Sequence, residues 1–213
     1  CLFLMALTEI SAQTIPVNKR FGKVSREELE LSSYDLDTAA TALILYENKW
    51  TAIHLNAAGA FTQTTRTHMR IKILKEEGVS WGDFEMICHH STKNQESVAG
   101  IDVVTYNLVD GKIVETKMPK KYIFTEDFTE NYKKVTFSAQ DVRVGSVIEV
   151  KFDRIDTRYW NLPDIYFQKN IPVNLVECEV RLPEFFTFNK KMTGYHRVDY
   201  AYDEDSGSLQ TSN

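Results

Sequence analysis

Cys88, His89 and His90 are the one place in the sequence where nucleophile-like and base-like side chains crowd together. A thiol beside an imidazole is the beginning of a nucleophilic site, because the imidazole can take the thiol proton. Neighbours on a strand point to opposite faces, so Cys88 and His90 share a side and His89 does not. Catalysis also needs a group that orients the base and donors for an oxyanion, and the flanking residues supply neither. The expectation is therefore packing at a strand end, with no catalytic residue and no enzyme. Cys88 and His90 could join His54 or His68 around zinc, but no second closely spaced ligand pair accompanies them. Neither a metal nor any other cofactor is expected. The carboxylate pairs Asp35 with Asp37 and Glu76 with Glu77 have the composition of a glycosidase site. Each lies beside a turn, where acidic residues commonly serve as caps.

Tyr159, Trp160, Tyr166 and Phe167 are the stronger binding candidate. Flat rings near a loop stack on sugars or pack on another protein, although the same rings also close ordinary sandwich cores. Lys120, Lys121, Lys133 and Lys134 add positive charge nearby in sequence. Lysine pairs beside strands commonly serve to discourage edge-to-edge association.

These residues must be held by strands. Val142–Asp153 is the clearest of them: after Gly145 and Ser146, Ile148, Val150 and Phe152 take one face while Val147, Glu149 and Lys151 take the other. Glu149 is expected on the outward face without a partner, and Gly145 is expected to need a positive φ or a close backbone approach. In TRTHMRIKIL, Thr67, Met69, Ile71 and Ile73 alternate with Arg66, His68, Arg70 and Lys72, which reads as a strand with one wet side. Trp81–Ile87 reads as its antiparallel return. Asp110 and Gly111 sit as a two-residue type I′ turn inside residues 100–118, the best hairpin in the chain. A strand at Leu43–Tyr46, a turn at Asn48 and Lys49, a loop over 119–132, and strands at 133–137 and 176–182 complete the pattern, with a final run at Phe185, Phe186 and Phe188. Ser25 and Glu28 form a capping-box pattern that opens a short helix. Strand signals that recur without a sustained helical period predict an all-β, antiparallel two-sheet β-sandwich with a short N-terminal helix.

The 213 residues carry a net charge of −5 in mixed-sign segments, which argues against a nucleic-acid footprint. CLFLMAL running into Ser11, Ala12 and Gln13 reads as a truncated signal peptide over 1–12, too short to span a bilayer. The expected division is that leader, an N-terminal arm over 13–31 and one sandwich domain over 32–213, with a cut from a longer protein as an open alternative. Export makes a disulfide permissible, and Cys88 and Cys178 are an even pair. Two unlinked core thiols are the preferred reading, with a bridge as the alternative.

FSAQDVRVGSVIEVKFD, YFQKNIPV and YDLDTAATALILYE together resemble the uncharacterised domain, domain of unknown function family 3857, that precedes transglutaminase-like modules in exported bacterial proteins. The resemblance runs roughly over 23–195 and rests on positions that include Gly145, Ser146, Ile148, Glu149, Gln168 and Pro172. It implies an all-β accessory region in the periplasm or cell envelope. No cysteine, histidine and aspartate segment for the catalytic module follows before Asn213. Two functions are therefore expected in competition. One is a non-catalytic interaction domain that serves an adjacent transglutaminase-like module or another envelope protein. The other is a carbohydrate-binding β-sandwich that uses exposed aromatics.

Overall fold

The computed structural model describes residues 15–184 together with Phe186 and Lys191. Its strands are β1 (Ala42–Leu55), β2 (Phe61–Ile73), β3 (Asp83–His89), β4 (Glu96–Val109), β5 (Lys112–Lys117), β6 (Phe124–Thr129), β7 (Tyr132–Ser138), β8 (Val147–Asp156) and β9 (Val176–Arg181). They form a six-stranded sheet in the order β5-β4-β8-β2-β1-β9 and a three-stranded sheet in the order β3-β7-β6. The two-sheet, all-β expectation stands, and β8 carries the predicted alternation at the heart of the larger sheet. Apolar residues of both sheets meet in one core: Ile44, Ile71, Ile148 and Val150 from the large sheet, and Met86, Cys88, Val135 and Phe137 from the small one.

The hairpin at Asp110 and Gly111 forms as expected, with φ of 49° and 74° and Val109 opposite Lys112. Both positive values suit the primed turn whose twist matches the flanking strands. The capping box forms too: Ser25 Oγ accepts from Glu28 N, Glu28 Oε2 accepts from Ser25 N, and helix α1 (Arg26–Glu30) follows.

Several expectations are corrected. Asn48 and Lys49 make no turn, because β1 runs unbroken through them and pairs with Lys49 opposite Thr67. A bulge between Ile44 and Tyr46 switches which residues of β1 face the core. β3 does not return along β2. A 3-10 turn at Glu76–Gly82 carries the chain across to the second sheet, where β3 pairs with β7. Residues 119–132 are not a loop throughout, since they hold a 3-10 turn at Lys120–Tyr122 and the edge strand β6. β9 joins β1 in parallel, so one edge of the larger sheet is not antiparallel. The leader at 1–12 and most of the final aromatic run lie outside the described residues.

The largest correction concerns the supposed wet face of β2. Arg70 and Lys72 are fully buried, and so is Glu149 on the neighbouring β8. Residues 15–34 lie across this face, where Ile15, Val17, Phe21, Val24 and Leu31 pack around a second core that includes Leu43, Leu45, Val104 and Val147. The protein therefore has three layers: arm and short helix, six-stranded sheet, three-stranded sheet. An alternating pattern reports two chemically different faces, and it cannot report that the polar one is roofed by charges brought from elsewhere.

Candidate functional site

On its inner side, the larger sheet changes character along its length. The end under the small sheet is aliphatic. Beyond it Glu47, Thr51, Gln63, Thr65, Thr67 and Asp156 point inward, all of them buried. Period-2 alternation puts Gln63, Thr65 and Thr67 of β2 on the face of Met69 and Asp156 of β8 on that of Val150, and on β1 the bulge at residues 44–46 brings Glu47 and Thr51 to the face of Ile44. Residues 161–169 close over this polar end and leave a cavity of about 520 Å³ against Trp81, Phe84, Met86 and Phe152.

The closing segment is pinned from below. Gln63 Nε2 donates to the carbonyls of Arg158 and Asn161 at 3.2 and 2.8 Å. Lys169 Nζ lies 3.3 Å from Glu47, which also has Lys49 at 3.4 Å. Arg158 Nη2 donates to Asp156 Oδ2 at 2.6 Å and reaches Glu96 at 3.4 Å, and Arg154 pairs with Glu96. The Asp156 hydrogen bond, reinforced by the charges of Asp156 and Glu96, holds the Arg158 guanidinium above its ordinary value.

The four aromatic candidates separate. Trp160 and Tyr166 are exposed, at 57% and 62%, whereas Tyr159 and Phe167 are half-buried. Tyr159 packs on Phe61 and Phe186, with centroids at 5.4 and 5.5 Å, and meets the Trp160 ring edge-on at 82°. The pair does not form one flat platform. Tyr166 borders the cavity, and its hydroxyl donates to Asp164 at 3.3 Å.

The signature positions differ in their surroundings. Gly145 has φ +90°, and Ser146 Oγ donates to Asn107 Oδ1 at 2.6 Å while it accepts from Arg143 N. Ile148 is in the core, and Pro172 O accepts from Ile44 N at 3.0 Å. Gln168 is exposed. Contrary to expectation, Glu149 is the centre of a buried polar cluster. Its carboxylate accepts from Arg70 at 2.5 Å, Tyr106 Oη at 3.1 Å and Gly22 N at 2.7 Å, with His68 Nε2 at 2.9 Å. Glu28 reaches the same Arg70 at 2.7 Å. Lys72 Nζ donates to Leu29 O and Gly145 O, each at 2.6 Å. Sequence reasoning missed this cluster. Its only signal was Glu28 in the capping box, and nothing local ties Glu28 to Arg70.

The chemistry-bearing residues are dispersed. Cys88 is 1% exposed, and burial, then the Glu96 charge, pushes its thiol up, away from a reactive thiolate. His89 stacks edge-on with Tyr132, His90 bridges to Gln95, His54 bonds Thr62 and His68 belongs to Glu149. Among the described residues no group of three or more possible metal ligands occurs. Cys88 and Cys178 are both free, on strands of different sheets. Asp37 caps a turn by accepting from Ala39 N, and Glu76 and Glu77 occupy the first turn of the 3-10 segment. Lys134 pairs with Glu126 at 2.8 Å and Lys133 lies 3.9 Å from Asp127, both across β6 and β7.

Residues 60–208 match the model of the family described as a domain of unknown function with a solved structure, DUF3857. The chain belongs to this family. The matched range opens at β2, so the arm and β1, which complete the larger sheet and roof it, lie ahead of it. No curated protein matches the DUF3857 chain. Among solved structures it is similar to a candidate protease from Parabacteroides distasonis, at 19% identity and a TM-score of 0.46. That similarity covers 68% of this chain and 29% of the other, so the chain spans less than a third of that protein's length. No helix among the described residues is long and apolar enough to cross a membrane.

Proposed function

We propose that this DUF3857 domain is a non-catalytic accessory domain of an exported bacterial envelope protein. In this reading it holds an adjacent transglutaminase-like module, or another envelope protein, through residues 157–169. One observation carries the proposal: Trp160 and Tyr166 stand exposed on a segment that Gln63, Glu47 and Asp156 tie to the large sheet. Large rings on a rigid base are good interface anchors, because little freedom is lost when they are covered. The leader-like run at 1–12 supports export, and the buried, high-pKa Cys88 supports a role without thiol chemistry. Glycan binding is the weaker reading, since Tyr159 and Trp160 meet edge-on and so do not make the flat wall that a sugar stacks on.

The test is calorimetric titration of the full chain with a separately produced transglutaminase-like module encoded beside it. Binding is expected, and the Trp160→Ala/Tyr166→Ala variant should weaken it at least about tenfold while leaving the melting temperature unchanged. Absence of binding, or binding indifferent to both rings, overturns the proposal.

A further inference from the structure

The outer edge of the small sheet is capped at every outward position but Glu85, which borders the cavity. Gly82 O accepts from Ala139 N and His90 N donates to Asn131 O, one at each end of the β3–β7 ladder, whose register is unbroken. Even-numbered residues of β3 therefore turn their main-chain groups toward β7, and odd-numbered ones turn away from it. On that outer edge, Asp83 N donates to Ser80 O, Ile87 O accepts from Arg154 Nη2 at 3.2 Å, and His89 N donates to Glu96 Oε2 at 3.1 Å. Between these capped positions, no described residue bonds the amide or the carbonyl of Glu85.

Glu85 sends its side chain to the opposite surface, toward Lys134 at 3.9 Å, yet it borders the cavity. What it contributes there is main chain: one donor and one acceptor, spaced for a single residue of another strand. The cavity beside it has an aromatic wall of Trp81, Phe84 and Phe152, and a floor where Gln63 Oε1 is buried without a hydrogen-bond donor. An unmatched strand edge beside a half-apolar cleft is the arrangement that accepts an added strand, with backbone bonds for affinity and alternate side chains read by the cleft.

We propose that the edge of β3 at Glu85 takes an extended peptide as a fourth strand of the small sheet. Alternate side chains of that peptide enter the cavity, apolar ones against Trp81 and Phe84 and an N–H donor toward Gln63. This rests on the interaction reading above and names the chemical class of its partner. Saccharide hydroxyls could meet the same groups, but an extended peptide offers a donor and an acceptor on one residue at strand spacing together with alternate side chains for the cavity.

The test titrates the full chain with the blocked pentapeptide acetyl-Val-Gln-Val-Gln-Val-amide, and with the same peptide N-methylated at its central residue. Glu85→Pro removes the edge donor without touching the β7 ladder, a position where proline is tolerated. Glu85→Ala removes only the outward side chain. The parent peptide is expected to bind the wild type and Glu85→Ala equally. Both the N-methylated peptide and Glu85→Pro should weaken binding at least about tenfold. No binding of the parent peptide, equal binding of the methylated one, or a soluble chitohexaose displacing it from Glu85→Pro and wild type alike overturns the inference. Should Glu85→Pro fail to fold, the methylated peptide decides alone. The two proposals separate cleanly: module binding lost on Trp160→Ala/Tyr166→Ala but kept by Glu85→Pro sinks this one alone. Peptide binding without module binding sinks the accessory reading alone.

Discussion

Arg70 and Glu149 lie opposite each other on β2 and β8, with Nη2 2.5 Å from Oε1 and neither side chain exposed. Glu28 is the arm's own charged link to this pair, through Arg70 Nη1 at 2.7 Å. Burial pushes the Glu149 carboxyl up, but bonds from His68 and Arg70, the Arg70 charge and the Gly22 amide more than offset it, so it titrates below its ordinary value. The cluster is where the arm and the sheet recognise each other.

Removing Arg70 should therefore be severe. Arg70→Met leaves Glu149 and Glu28 buried without their cation and is expected to cost about 3–5 kcal/mol in urea unfolding. Adding Glu149→Leu should cost less than the two single changes summed, by at least about 1 kcal/mol, because the orphaned carboxylate is removed with its partner. Strict additivity would show that the two residues do not act as a pair.

Acid and alkali should act on this cluster in a defined way. The Glu149 contribution is fully present above its unfolded value of 4.5 and is lost as pH falls below that through the lower folded value. Lys72 moves in the alkaline range, since burial pushes it down from 10.5 to about 8. Between those two values the unfolded chain holds a proton that the native state has released, so stability rises with pH. Tyr46, pushed up to about 12 by burial and by Glu177, opposes this once free tyrosine begins to ionise. Urea midpoints compared at about pH 7.5 and 9.5 should thus rise in the wild type relative to Lys72→Met. A parallel response of the two proteins would refute the assignment.

The same residues show how much of the fold was legible. The β8 alternation, the Asp110 and Gly111 turn and the Ser25 capping box are local, and sequence separation hides nothing about them. The partners of β1 and β3 are not local. β9 returns to β1 from more than a hundred residues away, and β3 crosses to the other sheet because a 3-10 turn, not a hairpin, follows β2. Arg70 and Lys72 have the same alternation they would have on a solvated face. Their partners are all distant in sequence: Glu149, Glu28 and the carbonyls of Asn18 and Arg20 for Arg70, and the carbonyls of Leu29 and Gly145 for Lys72. At the candidate site the aromatic segment could be seen in advance. The threonine, Gln63 and Glu47 floor beneath it could not, because polar residues that alternate look wet until a cover is known.

Two glycines should differ for different reasons. Gly145 has φ +90° and open space where a Cβ would go, so Gly145→Ala meets only backbone strain, about 1–2 kcal/mol. At Gly78 the added Cβ would stand 2.2 Å from Thr41 O, the carbonyl that accepts from Leu74 and Lys75. That oxygen cannot move without breaking two backbone bonds, so Gly78→Ala should cost more than Gly145→Ala. Melting temperatures in the reverse order would contradict the geometry.

Thiol labelling separates a structural Cys88 from a nucleophilic one. Its Sγ is enclosed by both sheets, and burial holds the thiol protonated, so a disulfide reagent reaches it only through opening of the core. Native labelling of Cys88, followed by peptide-resolved mass spectrometry to keep Cys1 and Cys178 apart, should be slower than in urea by about 10³-fold or more. Reductant should leave the melting temperature unchanged, since no bridge joins Cys88 to Cys178. Labelling of Cys88 in the native state as fast as in urea would mean an accessible thiolate. It would then reopen the pairing with His90 that the packing of β3 argues against.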